Sequence, residues 1–231
     1  MLNFRKQRGS RTTGEDLSIS KARYVVIDTE LTGLDERRDS IVSIAAIKMS
    51  GGVIELENVF GRIVNPASRL SAESVVIHGI TPSEAAGSPS IENILSEFVR
   101  FCGDDLIVGH CVSIDLTFIN KEIKRVPGLS LSNRALDTSA IYAWIRKRFP
   151  ARTLPHSFSG SGLYEIARYF GIPVSGAHDA VMDAFITAQV FQRFIPILIE
   201  GGVEGVSDLL SIGHPSRGGE NGRMSSEMYG L

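Results

Sequence analysis

The 231-residue chain predicts an α/β fold whose mixed sheet starts as an antiparallel meander, continues as α/β alternation and is flanked by helices. Three observations lead there. Residues 23–29, 41–49 and 52–64 read as strands, the first an apolar, β-branched run, with Leu34-Asp35 and Gly51-Gly52 marking the turns between them. A helical pattern near 90–102, a short apolar strand near 105–109 and a second helical pattern near 115–126 then signal the switch to alternation. After Asp137, residues 138–147, 162–170 and 179–194 read as three more helices. No internal repeat is visible.

Each element has its own warrant. Tyr24-Val25-Val26-Ile27 is a continuous apolar run of the kind found in strands buried on both faces. In the helix after Leu106-Ile107-Val108-Gly109, the apolar positions Ile114, Phe118, Ile119, Ile123 and Val126 make one face. The first twenty residues carry Arg5, Lys6, Arg8 and Arg11 without apolar periodicity and are expected to be a flexible polar leader. Residues 21–200 form one catalytic-sized domain, and 201–231 hold a C-terminal helix and, from Gly213, a Gly- and Ser-rich tail expected to be disordered.

Composition narrows the function classes. A formal charge of −2 argues against a basic coat for tight, nonspecific duplex binding, so any contact with nucleic acid should be local. The densest basic stretch outside the leader, Arg146 to Arg152, fits a solvated helix end better than a phosphate track, and Trp144 fits core packing. Phe149 is available there for stacking on an unpaired base. Cys102 and Cys111 have no metal-binding spacing, and neither a secretory signal nor an apolar stretch long enough to span a bilayer is evident. A cytoplasmic protein without membrane attachment is the expectation.

Asp28 and Glu30 end the first strand two residues apart, so their side chains share one face. Two converging carboxylates repel unless a cation lies between them, and hard oxygen ligands suit a divalent ion. Acidic strand ends are also common as solvated loop starts. Asp115 follows the short apolar run Leu106–Gly109, where it also suits the positive end of a helix dipole. His178 precedes Asp183 by five residues, about 500° of helical turn, so both reach one site only if His178 lies at or before the helix start. Gly176 makes an irregular entry plausible there.

In this order the pieces resemble the DEDDh family of 3′–5′ exonucleases, the group containing the proofreading epsilon subunit of DNA polymerase III and RNase T, from about Tyr24 to Phe194. Asp28-Thr29-Glu30-Leu31-Thr32-Gly33 matches the first motif, usually D-x-E-T-T-G; Gly109-His110 through Asp115 matches the second; His178 through Asp183 matches the third, H-x-x-x-x-D. Leu31, Cys111 and Ile114 depart from the usual Thr, Asn and Phe, but no carboxylate is lost.

The resemblance implies a ribonuclease H-like fold with Asp28, Glu30, Asp115 and Asp183 as metal ligands. It implies two Mg²⁺ ions, replaceable by Mn²⁺, roughly 3.5–4 Å apart. His178 becomes the general base, which must be neutral, so activity should rise from mildly acidic toward slightly alkaline pH. By the same resemblance Leu31 packs on the terminal base, the backbone of Thr32 and Gly33 approaches the sugar, and Glu73 and His78 flank that nucleotide. The implied reaction releases nucleoside 5′-monophosphates from the 3′ end of single-stranded DNA. RNA trimming by the same residues, or a noncatalytic nucleic-acid or polymerase-associated module, are the alternatives. Implied partners are the single-stranded 3′ end and a DNA polymerase or other replication or repair protein; homodimers occur in parts of the family.

Overall fold

In a computed structural model of the protein, residues 17–152 and 162–218 are described here. Five strands, β1 (Arg23–Leu31), β2 (Ile41–Ser50), β3 (Val53–Ile63), β4 (Leu106–Gly109) and β5 (Ala135–Asp137), form one sheet in the order β3-β2-β1-β4-β5. The β1–β2 and β2–β3 pairs are antiparallel, whereas β1–β4 and β4–β5 are parallel. The predicted meander and alternation therefore meet at β1. The helices are α1 (Ala72–His78), α2 (Pro82–Ala86), α3 (Ile91–Cys102), α4 (Ser113–Ile123), α5 (Thr138–Arg148), α6 (Leu163–Tyr169), α7 (Ala180–Glu200), α8 (Val206–Ile212) and α9 (Pro215–Gly218).

Alternation along β1 divides the core into two layers. Tyr24 and Val26 pack on Phe191 and Phe194 of α7, while Val25 and Ile27 face Phe98 of α3 and Phe118 and Ile119 of α4. Tyr24 meets Phe191 edge-on, with ring centroids 4.9 Å apart. A third, small cluster joins Ala45 and Ile47 of β2 to Ala180 and Ala184. Small residues on both sides let the first turn of α7 lie close to the sheet. At Gly61 of β3 there is no room for a side chain, since a Cβ would stand 2.6 Å from Val181 Cγ2. Gly61→Ala is expected to lower stability by about 1–3 kcal/mol, the usual cost of overpacking, and to reduce turnover by moving the helix that carries Asp183. An unchanged denaturation midpoint would mean that this turn yields freely.

The structure departs from the sequence reading at several points. The leader was expected to run to residue 20, but Ile19 is fully buried, its N–H donates to Glu204 O at 2.9 Å, and Ser18 bridges Gly205. Its earlier residues, 1–16, lie outside the described residues, as do 219–231 of the tail. Gly213, read as the start of that tail, is buried, accepts a 2.7 Å hydrogen bond from Asp137 N and is followed by α9. The short elements α1, α2 and β5 were not foreseen. Helix α7 continues through Pro196 to Glu200. By length and composition α7 could cross a bilayer, contrary to expectation, but here it is the central core helix, with Ala184, Thr187, Phe191, Phe194 and Leu198 fully buried.

Trp144 packs edge-on against Phe149, which sits against the core beneath Arg148 and Arg152. Phe149 is thus engaged within the fold, and Arg152 pairs with Glu200.

Candidate metal centre

Beyond Val26, β1 has no pairing with β4. Its last residues project past that strand at the carboxyl end of the sheet, beside the point where strand order reverses; such switch points form crevices in α/β sheets. Asp28 and Glu30 continue the parity of Val26 and so point to the α7 side. Asp183 arrives from the first turn of α7, its N–H bonded to Asp179 O at 2.8 Å. Carboxylate oxygens of Asp28, Glu30 and Asp183 all lie within 4.8 Å of one another. Asp115, in the first turn of α4, comes from the opposite face of β1. Thr29 Oγ1 donates to its Oδ1 at 2.6 Å. Asp115 stands beside the trio rather than within it.

The cluster is electrostatically frustrated. Burial first, then the neighbouring carboxylates Asp115, Glu30, Asp183 and Asp179, push Asp28 well above the usual carboxylate range. Burial and the same kind of repulsion push Glu30 up to about 8. Asp115 is pushed up to about 7 by burial, against the lowering effect of the Thr29 hydrogen bond. Burial raises Asp183 too, offset in part by bonds from Tyr164 and His178. Among the described residues no lysine or arginine forms an ion pair with any of the four. Asp183 Oδ1 is buried without a hydrogen-bond partner. An all-oxygen donor set with one orphaned oxygen fits a hard divalent cation of the Mg²⁺ or Mn²⁺ class.

This arrangement fixes a pH dependence. Carboxylates whose folded pKa exceeds the unfolded value stabilise the fold below the ordinary carboxylate range, and that stability is lost as pH rises toward about 8. The metal-free protein should therefore lose stability between about pH 4 and pH 8. Mg²⁺ should restore it, by about 5–10 °C at pH 8.5 when present at a hundred times its dissociation constant, and by much less at pH 5.5. Thermal melts with Mg²⁺ and EDTA at both pH values check this. Equal increments at both would contradict it.

His178 lies ahead of α7 with φ 66°, two residues after Gly176 at φ 68°. Asp179 then caps the helix, its side chain accepting from Met182 N. The left-handed step turns the chain so that His178 N–H donates to Asp183 Oδ2 at 3.0 Å and to Tyr164 Oη at 2.9 Å. Tyr164 in turn donates to Asp183 Oδ2 at 2.6 Å. Burial, then the bond and charge of Asp183, hold that phenol far above its ordinary pKa. Neither Tyr164 nor Thr29 was singled out from sequence. A tyrosine in an amphipathic stretch reads as packing, and Thr29 reads as the spacer between two acids.

The residues expected at the terminal nucleotide are arranged less uniformly. Leu31 is half-buried against the α3–α4 layer, just after a register shift at the end of β1. Thr32 is 4% exposed, and its hydroxyl donates to Asp39 Oδ1 (3.0 Å), contacts Ser68 Oγ (2.8 Å) and accepts from Ser40 N (3.1 Å). Its N–H is bonded to Ser40 O. Both polar groups are therefore committed inside the protein. A Cβ on Gly33 would lie 2.5 Å from the Asp39 carboxylate, an internal reason for glycine at that position. Glu73 is exposed in the first turn of α1. His78, at the end of α1, is buried; its Nδ1 accepts from Ile80 N at 3.0 Å and its Nε2 has no partner. Burial first, then the charge of His178, lowers the His78 pKa.

The second motif carries its departure in a strained place. Cys111 has φ 54°, a region that Asn tolerates better, and its N–H is held by Asp137 Oδ1 at 3.0 Å. Burial, the first cause in each case, pushes the thiols of Cys111 and Cys102 up to about 11 and about 12, so neither is primed as a nucleophile.

Residues 25–191 match the RNase_T family model, described as exonuclease. The DNA polymerase III subunit epsilon of Aquifex aeolicus is 36% identical over 172 residues, 74% of this chain and 80% of the relative. The PolC-type DNA polymerase III of Thermotoga maritima is 33% identical over 199 residues, 86% of this chain but only 14% of that polymerase. Among solved structures, E. coli Exonuclease I in complex with a dT13 oligonucleotide superposes with a TM-score of 0.68 at 20% identity, over 79% of this chain and 43% of the other. Exonuclease X in complex with 5′ overhanging duplex DNA superposes at 0.60 with 23% identity, over 82% and 98%. These two structures share the fold.

Proposed function

The chain belongs to the RNase T family of exonucleases, as a 3′–5′ exonuclease of the DEDDh type, and from that premise we propose that it removes nucleoside 5′-monophosphates from the 3′ end of single-stranded DNA, using divalent cations held by Asp28, Glu30, Asp115 and Asp183. The single observation that carries this reading is the convergence of Asp28, Glu30 and Asp183 oxygens within 4.8 Å, with one Asp183 oxygen left without a partner.

Bound Mg²⁺ ions, two in the proposed scheme, would supply charge stabilisation for the attacking and leaving oxygens of the phosphodiester. The chain's own residues do the rest. Asp28 and Glu30 offer oxygens from the end of β1, Asp183 adds its unpartnered Oδ1 from α7, and Asp115 approaches from the α4 side. His178 takes the proton from the attacking water, which requires a neutral imidazole. His78 is proposed to meet the terminal nucleotide through its unpartnered Nε2, and Leu31 to pack on its base. Glu73 is proposed to flank it from the exposed start of α1, and the backbone at Thr32–Gly33 to border the sugar.

DNA is preferred over RNA because two relatives are named as parts of DNA polymerase III and one structural neighbour is in complex with a dT13 oligonucleotide. Those names also suggest a replicative polymerase, or another replication or repair protein, as partner in the cytoplasm. The test is cleavage of matched 3′- and 5′-labelled DNA and RNA single strands, with Mg²⁺ or EDTA. Metal-dependent release of mononucleotides from the DNA 3′ end is expected. Preferential trimming of the RNA would replace DNA as substrate, the 2′-hydroxyl being the discriminating group.

A further inference from the structure

We propose that Tyr164 is a positioning residue whose hydroxyl decides two things at once: which oxygen of Asp183 faces the cation, and which nitrogen of His178 carries the proton. The inference rests on the reading above, in which Asp183 is a ligand and His178 the base.

The argument is one of donor counting. A phenol has one proton to give, and an ionised carboxylate offers only acceptors. With Asp183 ionised, as holding a cation requires, the 2.6 Å contact between Tyr164 Oη and Asp183 Oδ2 takes the phenol's proton. Oδ2 also receives His178 N–H at 3.0 Å. It is thereby occupied twice, while Oδ1 has no partner and is the oxygen left for the cation.

The same proton fixes the histidine. Tyr164 Oη, its hydrogen committed to Asp183, meets its remaining neighbours only as an acceptor. One is His178 N–H at 2.9 Å, and another is His178 Nδ1 at 3.5 Å. At that separation Nδ1 is favoured as an N–H and disfavoured as a bare lone pair facing another. The proton then sits on Nδ1 and the lone pair on Nε2, the nitrogen that acts as base in that reading. The two rings meet edge-on, with centroids 5.4 Å apart and planes at 87°, so the imidazole is packed against the phenol that faces Nδ1. A backbone at φ 66° needs its surroundings to hold it, and Tyr164 Oη supplies one of the bonds that do.

Tyr164→Phe keeps the ring and removes only the hydroxyl. It should weaken Mn²⁺ binding, read by titration calorimetry, by about 10- to 100-fold, the usual effect of losing a group that orients a metal ligand. Turnover should fall with little change in KM for the oligonucleotide. In ¹⁵N NMR of the intact protein the His178 ring should be mainly the Nδ1–H form in the wild type, and that share should fall in Tyr164→Phe. Purely structural packing would leave the tautomer ratio unmoved. Wild-type Mn²⁺ affinity in Tyr164→Phe, or an Nε2–H tautomer in the unmutated protein, overturns the proposal, and the second readout stands even if the variant folds poorly. His178→Ala is assayed alongside. If it loses turnover while Tyr164→Phe behaves as wild type, the inference alone fails; if it turns over normally, the underlying reading of His178 fails.

Discussion

Asp28→Asn is expected to make the metal-free protein more stable and the enzyme inactive. Asp28 is the carboxylate most crowded by others, disfavoured by burial and by four acidic neighbours. Asparagine keeps the shape and removes that repulsion, so the melting temperature in EDTA at pH 8 should rise, by about 2–4 °C for each kcal/mol relieved in a domain of this size. The same change removes an anionic oxygen from the cation site. Turnover with Mg²⁺ should drop on the order of a thousandfold, comparable to the loss of a major electrostatic contributor in other enzymes, and Mg²⁺ should no longer raise the melting temperature. The two effects have opposite signs, so simple misfolding cannot imitate them. A variant that is both destabilised and active would remove Asp28 from the site.

Replacing His178 should lower kcat by about 10²–10⁴, the range for a lost general base, while leaving oligonucleotide binding nearly intact. The choice of substitution matters because the residue has φ 66°. Asparagine enters the left-handed region more readily than alanine and lacks a basic ring nitrogen. His178→Asn therefore separates chemistry from backbone strain, and His178→Ala adds the strain back. Equal loss of kcat in both, with a lower melting temperature only in the alanine variant, is the expected pattern. If turnover in His178→Asn stayed at the wild-type level, another group would have to be the base.

Much of this was legible in the chain because the determining residues are periodic or ordered. β1 and β2 are long, mainly apolar runs, β3 follows them across the Gly51-Gly52 turn, and the four acids with His178 follow a fixed order that survives any distance between them. Shorter elements escaped because they are held by caps rather than by a pattern. Helix α2 has five residues, but Thr81-Pro82-Ser83-Glu84 closes a capping box that could have been read from the letters. β5 has only three residues and exists through its pairing with β4. Leu17 and Ile19, two apolar residues in a polar stretch, give no sign that one will be exposed and the other buried beside residues 204–206. In the site, the spacing of His178 and Asp183 correctly required an irregular approach before α7. The part of Tyr164 was invisible, since nothing in an amphipathic segment says which hydroxyl will meet a carboxylate from another helix.

The cation cluster draws on both ends of the domain, with Asp28 and Glu30 from its first strand and Asp183 from α7. During biosynthesis the meander can form soon after it leaves the ribosome, but Asp183 follows about 120 residues after the end of β3, roughly 6 to 24 s at ordinary elongation rates. A nascent chain would thus display two acids on a finished strand for that whole interval with no competent centre. The convergence of Asp28, Glu30 and Asp183 is thus a product of the whole domain, closed only once translation has passed through α7.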